Sequence, residues 1–353
     1  MKSIPFFPAL LGVLLSCQSS TNPTALPTWP VAQQMEHPQP EDLLKIAAEV
    51  KRIPLETSDS ILIREIATLA EADDLLYIRH ENECSVFDRD GKFLRNIGSQ
   101  GEGPNEYLTL NHFFIKDGDL YLYEAEKEIV RIYTPEGIFK RDFPTGESYN
   151  AVYPLAGDTY LGYMDNVSGN ELMKIGFFTE EQLLDTIPYT RQFEHKGVYW
   201  SFSNEGTVFK NGDAFCFKEI FNDTIFRIEP DHRLTPLYIA DLGAMQPLPE
   251  IRHQMTNLMA NIWDKAGCLT PVGTIGDKLF FNILAKGQKA SFYWDTKKEK
   301  LHLIDLTLPE DEFATEEWQL LNVSEDGKRL LGCRKGKEER NPEILSITLR
   351  REQ

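Results

Sequence analysis

The sequence predicts an all-β fold, a six-bladed β-propeller with one inserted amphipathic helix. From residue 41 onward, short runs of strand-forming residues alternate with Asp-Gly, Asn-Gly and Pro-Glu-Gly turns. These runs recur in groups with a period of roughly 40–50 residues, which is typical of propeller blades. The length of 353 residues suits a single domain of this class.

The first two repeats share the same order of strands and turns. In residues 74–97, three strand-like runs follow one another, and the turn Asp88-Arg89-Asp90-Gly91 joins the last two. The same order returns in residues 120–143, where the turn is Thr134-Pro135-Glu136-Gly137. The glycine in each turn provides the positive φ that a tight hairpin requires. These two units predict the first two blades.

Four weaker copies complete the predicted ring. They cover residues 152–187, 202–228, 270–306 and 318–349. Residues 50–55 precede the first repeat, and we expect them to form a strand that pairs with the last blade. Such a strand closes the ring and removes an exposed sheet edge.

Two segments outside the repeats have helical patterns. Residues 249–265 place five apolar side chains on one face of a helix, which we expect to pack against the propeller rather than to await a partner. A shorter helix is predicted near residues 40–48. The apolar stripe of the longer helix consists of Ile251, Met255, Leu258, Met259 and Ile262.

The N-terminus has the pattern of a lipoprotein signal. Lys2 is followed by an apolar run at residues 4–15 that is too short to span a bilayer. The run ends in Leu14-Leu15-Ser16-Cys17, which resembles the lipobox of bacterial lipoproteins. The resemblance implies that Cys17 is acylated, becomes the mature N-terminus and anchors the chain to a membrane. The alternative is an ordinary secretory signal in which the cysteine occurs by chance.

These patterns divide the chain into three parts. Residues 1–17 are the predicted lipoprotein signal peptide, and residues 41–353 are the predicted propeller domain. Between them, residues 18–40 are rich in Ser, Thr, Pro and Gln and lack apolar periodicity. We expect this middle segment to be a disordered tether.

The charge of the chain argues against one class of partner. The sequence contains 37 basic and 55 acidic residues, which gives a formal net charge of −18. Nucleic-acid binding needs a basic surface that neutralises phosphates, so no nucleic-acid partner is predicted. The acidic residues are spread along the chain and indicate a well-solvated surface.

Two stretches resemble a known group of propellers. Residues 86–107, which include Gly98-Ser99-Gln100-Gly101-Glu102-Gly103, resemble the blade junction of NHL-type repeats. Together with residues 221–228 and 236–243, they are similar to the six-bladed β-propeller lipoproteins of Bacteroidota. In such lipoproteins an acidic stretch after the lipidated cysteine accompanies display on the cell surface. Gln18-Ser19-Ser20-Thr21 lacks that stretch, so the resemblance implies an outer-membrane anchor that faces the periplasm.

Candidate ligand-binding residues lie near the predicted starts of inner strands. In a propeller, side chains from different blades converge on the central channel without any local motif. The alternative is an assortment of polar side chains that line a water-filled tunnel. The seven histidines show no metal-ligand spacing and no cofactor motif is present, so neither a metal nor a cofactor is predicted. The channel candidates are Arg64, His112, Asn150, Tyr199 and Trp200.

The sequence favours a binding or scaffolding role over catalysis. It contains no Gly-x-Ser-x-Gly or His-Glu-x-x-His motif, and no catalytic residue is predicted. The leading hypothesis is a membrane-anchored module that binds an envelope protein or glycan. The alternative is a channel-centred hydrolase or lyase that acts on envelope glycans or small esters. An enzyme should have clustered polar side chains with shifted pKa values at one channel mouth, whereas a scaffold should have a filled or merely wet channel.

Overall fold

The computed structural model shows six β-sheets arranged as the blades of a propeller. Each blade contains four antiparallel strands, and two blades carry a fifth strand in parallel orientation. The prediction of an all-β, six-bladed fold is confirmed. The described residues are 26–37, 40–103, 106–194, 202, 204–248, 266–285, 288–306, 308, 318–336 and 340–350.

Five short elements precede the first blade along the chain. We call residues 26–42 the N-terminal arm; after it, the chain forms a short helix and the strand that closes the ring. The predicted helix near residues 40–48 is present but shorter, because residues 40–42 form a strand. The elements are β1 (Thr28–Trp29), α1 (Val31–Met35), β2 (Pro40–Asp42), α2 (Leu43–Ile46) and β3 (Ala47–Pro54).

The first three blades each use four consecutive strands, ordered from the channel outward. The first blade contains β4 (Thr68–Ala72), β5 (Leu75–His80), β6 (Glu83–Asp88) and β7 (Phe93–Asn96). The second contains β8 (His112–Lys116), β9 (Asp119–Glu124), β10 (Ile129–Tyr133) and β11 (Phe139–Pro144). The third contains β12 (Ala151–Pro154), β13 (Tyr160–Tyr163), β14 (Met173–Phe178) and β15 (Leu183–Pro188).

The last three blades each include a strand from the N-terminal part of the chain. The fourth contains β16 (Gly206–Asn211), β17 (Ala214–Glu219), β18 (Thr224–Ile228), β19 (Leu234–Ala240) and then β1. The fifth contains β20 (Gly267–Ile275), β21 (Lys278–Ala285), β22 (Gln288–Asp295), β23 (Lys300–Asp305) and then β2. The sixth contains β24 (Gln319–Val323), β25 (Arg329–Arg334), β26 (Glu343–Leu349) and then β3.

The strand β3 closes the ring, as the sequence predicts. It pairs with β26 in antiparallel register, with Ile53 opposite Ile344, and both side chains are buried. The hairpin of the first blade then packs on the end of β3. Gly91 in that hairpin has φ 81°, and a Cβ there would lie 2.2 Å from the carbonyl oxygen of Pro54. Only glycine allows both the positive φ and this close approach, so the turn can pack directly against the end of the closing strand.

The prediction of a disordered tether over residues 18–40 is wrong for residues 26–37 and 40, whereas residues 18–25 and 38–39 lie outside the described residues. The strands β1 and β2 pair in parallel with β19 and β23, the outer strands of the fourth and fifth blades. Trp29 and Val31 are buried between these two blades, where Trp29 stacks on Trp294 with ring centroids 5.1 Å apart. Burial of these two large apolar side chains offsets the entropy cost of ordering a short segment. The polar composition of the segment does not reveal that burial.

Several polar side chains bridge neighbouring blades around the channel. Each donates a hydrogen bond to a backbone carbonyl of the next blade or of the segment that leads into it, over 2.8–3.2 Å. These bonds fix the relative position of the inner strands. The donor and acceptor pairs are Arg79 to Leu110, Tyr153 to Gly206, Asn282 to Leu320 and Asn322 to Leu69.

The predicted helix at residues 249–265 lies outside the described residues.

Candidate functional site

The inner strands β4, β8, β12, β16, β20 and β24 surround a central channel of about 1810 Å³. Hydrogen bonds between neighbouring blades join the start of one inner strand to the start of the next (Arg79, opposite Thr68, to Leu110) and the end to the end (Gly212 to Thr274), so the inner strands run in the same direction. We call the end at which they begin the start mouth. The volume exceeds the ~300–1,000 Å³ of usual small-ligand pockets, so the channel is not filled by its own side chains.

The structure places the five predicted channel residues differently from one another. His112 is the first residue of β8, Asn150 directly precedes β12, and both line the channel at the start mouth. Arg64 is exposed in the loop before β4, so its predicted place on the first inner strand is wrong; that strand begins at Thr68. Tyr199 and Trp200 lie outside the described residues. A binding role for any of these residues stays a prediction.

His112 is a half-buried imidazole held against the next blade. Its ring lies 4.9 Å from the ring of Tyr153, between centroids, and its Nδ1 atom is buried without a hydrogen-bond partner. Burial and the charge of Arg79 lower the pKa of His112 to about 3, and the backbone of Val152 opposes this shift only in part. The side chain is therefore neutral throughout the physiological pH range and is a weak proton acceptor.

The low pKa of His112 predicts a loss of stability in acid. Between pH 6.5 and about 3 the unfolded chain binds a proton at this residue that the folded protein does not bind. The free energy of unfolding should therefore fall with falling pH in this window, by up to about 1.4 kcal/mol per pH unit. Urea unfolding at pH 6 and pH 4 should show a smaller loss for His112→Phe than for the wild type. The exposed His37 provides the control, because His37→Phe should behave as the wild type.

Asn111 and Asn150 occupy equivalent positions in the second and third blades. In each case the backbone N–H bonds to the end of the adjacent strand, at Tyr123 and Tyr163 respectively. In each case the amide oxygen accepts a backbone N–H, from Ala125 at 2.8 Å and from the residue after Met164 at 2.7 Å. Within the described chain, neither amide nitrogen has an acceptor. Both amides therefore present donors at the start mouth.

Arg79 joins this group, although sequence reasoning did not select it. It lies on β5, opposite Thr68 of the inner strand, and its side chain lines the channel. Its Nε donates to Thr68 Oγ1 at 3.3 Å and its Nη1 donates to the carbonyl of Leu110 at 3.2 Å. Burial lowers the pKa of the guanidinium. The signal in the sequence is an arginine directly after the four apolar and aromatic residues Leu75-Leu76-Tyr77-Ile78 of the same strand.

Two buried carboxylates meet at the other side of the start mouth. Glu205 and Glu219 both accept from the hydroxyl of Tyr163, at 2.9 and 3.5 Å, and Lys174 lies 2.6 Å from Glu219. These residues belong to the third and fourth blades or their junction. The lysine neutralises one carboxylate, so the cluster holds the two blades together. We assign it a structural role.

A serine–histidine pair is also present, but it has no access to a substrate. His80 Nε2 lies 2.7 Å from Ser85 Oγ, and both residues are buried within the first blade. Ser85 donates its proton to Asn96 Oδ1 at 2.8 Å, so the imidazole donates to the hydroxyl rather than accepting from it. The geometry therefore does not activate a nucleophile.

The described residues show neither a metal-ligand cluster nor a helix able to span a membrane. In that part of the chain, no three His, Cys, Asp or Glu side chains come together in a way that would hold a metal ion. None of its helices combines the length and the apolar character that crossing a membrane requires.

Comparisons with solved structures agree with the propeller fold. A protein of Bacteroides fragilis named as an exported protein is 17% identical, with a TM-score of 0.67, over 87% of this chain and 97% of that chain. A member of the DUF4221 family from Bacteroides vulgatus is 8% identical, with a TM-score of 0.55, over 86% of this chain and 97% of that chain. Identities this low show a shared fold.

A family model covers nearly the whole chain. No curated protein matches the sequence significantly. The model described as a domain of unknown function (DUF4934) matches residues 26–338, so the match starts within the N-terminal arm. Because this match covers far more than half of the 353 residues, the chain belongs to the DUF4934 family.

Proposed function

We propose that this protein is an exported lipoprotein whose central channel binds a small polar ligand of the cell envelope. The observation that carries the proposal is the open channel of about 1810 Å³, with His112, Asn111 and Asn150 at its start mouth. A rigid ring that presents unpaired hydrogen-bond donors in a concave site is suited to recognition. The fold shared with a protein named as exported supports the compartment.

The anchor is the second part of the proposal. Cys17 would carry the lipid, and the propeller would face the periplasm from the outer membrane, as the resemblance to NHL-like propeller lipoproteins implies. A fragment of an envelope glycan is a suitable ligand, because it offers many hydroxyl and carbonyl acceptors to the amide donors. A folded protein partner is too large for the channel and would bind to the loops instead.

Binding is better supported than catalysis at this site. The start mouth does hold polar groups with lowered pKa values, at Arg79 and His112, which is the pattern expected of an enzyme. The imidazole, however, is too weak a base for general base catalysis near neutral pH. The hydroxyl of Ser85 is buried and donates away from His80. Neither His112 nor the Ser85–His80 pair therefore supplies the base or nucleophile that the hydrolase or lyase alternative needs.

The experiment uses the full chain, with its signal, expressed in a bacterium that processes lipoproteins. Cells grown with an alkyne fatty acid should label the wild-type protein, and mass spectrometry should find Cys17 as the modified N-terminus. Cys17→Ser should lose the label completely, because no other residue supplies the acceptor thiol at the cleavage site. The matched control is Cys268→Ser, which should label as the wild type. Labelling of Cys17→Ser would contradict the anchor.

The ligand is tested on the same preparation. Protein purified from gently solubilised envelopes should retain a small molecule in native mass spectrometry, and Asn150→Ala should retain less of it. Arg64→Ala, outside the channel, should behave as the wild type. If a protein partner co-purifies reproducibly in near-stoichiometric amount and no small molecule is retained, channel binding is contradicted and the scaffold hypothesis is favoured.

A further inference from the structure

The guanidinium of Arg79 is a half-buried charge without an acidic partner. No carboxylate in the described part of the chain lies within 4.0 Å of it; its partners are the hydroxyl of Thr68 and the carbonyl of Leu110. The chain has 55 acidic residues against 37 basic ones, so acidic partners are abundant. Lys210, which also lines the channel, has Glu325 at 3.8 Å. The absence of a carboxylate beside Arg79 is therefore a local property of the channel wall.

A charge in this position is costly unless something pairs with it. Removing an ionised group from water without a counter-charge is unfavourable, and the lowered pKa of Arg79 expresses that cost. A guanidinium has five N–H donors, and two of them bond to the protein, so three remain. A planar group with several unused donors matches the two oxygens of a carboxylate.

The amides at this mouth offer donors rather than a negative charge that could pair with Arg79. The amide oxygens of Asn111 and Asn150 already accept backbone N–H groups, which leaves their nitrogens as donors. His112 is close enough for the charge of Arg79 to lower its pKa, so this imidazole stays neutral and adds no second positive charge. Glu65 and Glu147 also line the channel, but neither carboxylate lies within 4.0 Å of Arg79. The guanidinium therefore keeps its unused donors, beside the neutral donors of the amides, for the oxygens of a bound anion.

Further carboxylates in the channel wall limit the charge of that anion. Asp165, which follows Met164 and bonds to Asn150 through its backbone N–H, lines the channel together with Glu171 and Glu205. A dianionic group would be repelled by these carboxylates and neutralised only once, whereas a monoanion is neutralised by one guanidinium. Hydroxyl or ammonium groups elsewhere on the ligand would donate to these carboxylates.

We propose that the channel is a carboxylate-binding site in which Arg79 pairs with a single carboxylate of an otherwise polar ligand. The inference rests on the proposed function, because it specifies the chemical class of the channel ligand. Two sources carry this chemistry, an acidic sugar such as a uronate and the C-terminus of a short peptide. Their shared carboxylate is the feature that the structure assigns to Arg79.

The test measures thermal unfolding of the full chain in sodium acetate and in sodium chloride at equal ionic strength. Acetate should raise the Tm of the wild type by about 2–4 °C relative to chloride, because a ligand that binds the folded state stabilises it. Arg79→Gln should abolish this difference, and Arg79→Lys should retain only part of it, since lysine keeps the charge without the planar fork. The matched control Arg64→Gln should respond as the wild type.

Two comparisons keep the result interpretable. Arg79→Gln also loses a bond to Leu110, so its Tm in chloride and its circular dichroism report whether it folds, and Arg79→Lys supplies the test if it does not. Glucuronate against glucose, and acetyl-dialanine against its amide, then separate the sugar from the peptide source by isothermal titration. Equal Tm values of the wild type in acetate and chloride would overturn the carboxylate site. Retention of a neutral small molecule in native mass spectrometry would leave the proposed function intact in that case.

Discussion

Replacing Trp29 by alanine is expected to lower the free energy of unfolding by about 3–5 kcal/mol. The indole is only 2% exposed, although it belongs to a two-residue strand at the rim of the ring. It lies between the fourth and fifth blades, 5.1 Å from the ring of Trp294 and 4.7 Å from that of Tyr238. Alanine would leave a cavity that these large neighbours cannot close, because their own strands fix them.

Urea unfolding followed by tryptophan fluorescence and circular dichroism measures this loss. Leu62→Ala is the control, because Leu62 is 51% exposed and its truncation should change the free energy by less than about 0.5 kcal/mol. A loss below about 1 kcal/mol for Trp29→Ala would show that the N-terminal arm does not contribute to the stability of the propeller. The arm would then be a tether, as its composition suggests.

A chain that begins at Glu56 is expected not to form a monomeric propeller. It lacks β3, so β26 becomes the edge of the sixth blade and exposes Ile344 and Ile347, which are fully buried in the intact protein. An unpaired strand with buried apolar residues is a template for association with other chains. The ring also loses the sheet that joins its two ends.

A chain that begins at Leu43 is the matched comparison. It lacks the N-terminal arm but keeps β3, so it should fold as a monomer of reduced stability. Size-exclusion chromatography with light scattering, together with cooperative urea unfolding, distinguishes the two chains. Cooperative unfolding of the chain that begins at Glu56 would show that the ring closes without β3.

Much of the fold follows from local patterns, whereas the N-terminal arm does not. Hairpin turns and apolar strands repeat in each blade, and the run at residues 50–55 has the same pattern, so its pairing with the last blade is predictable. The arm is different, because β1 and β2 contain two and three residues. Strands this short have no periodicity, and their stability comes from burial between blades that the sequence does not reveal.

The candidate site shows the same division between local and tertiary information. His112 and Asn150 are predictable because they lie at the starts of inner strands. The sequence pattern misplaces Arg64, because the buried Ile61, Ile63 and Ile66 around it imitate a strand. In the structure they belong to a loop that packs against residues of the first and sixth blades. The sequence alone does not identify Arg79 as a channel residue. Its access to the channel depends on the pairing of β5 with the inner strand β4, and on the length of the arginine side chain, which reaches past β4.

The ordered N-terminal arm also sets how far the propeller can stand from its membrane. If Cys17 carries the lipid as proposed, only residues 18–25 separate it from the first described residue, Leu26. Eight residues extend over at most about 26–29 Å. A compact domain of this size has a radius of gyration of about 19 Å, so the ring stays within roughly its own radius of the lipid headgroups. It would meet ligands that diffuse along the membrane surface, and it could not reach across the periplasm to collect them.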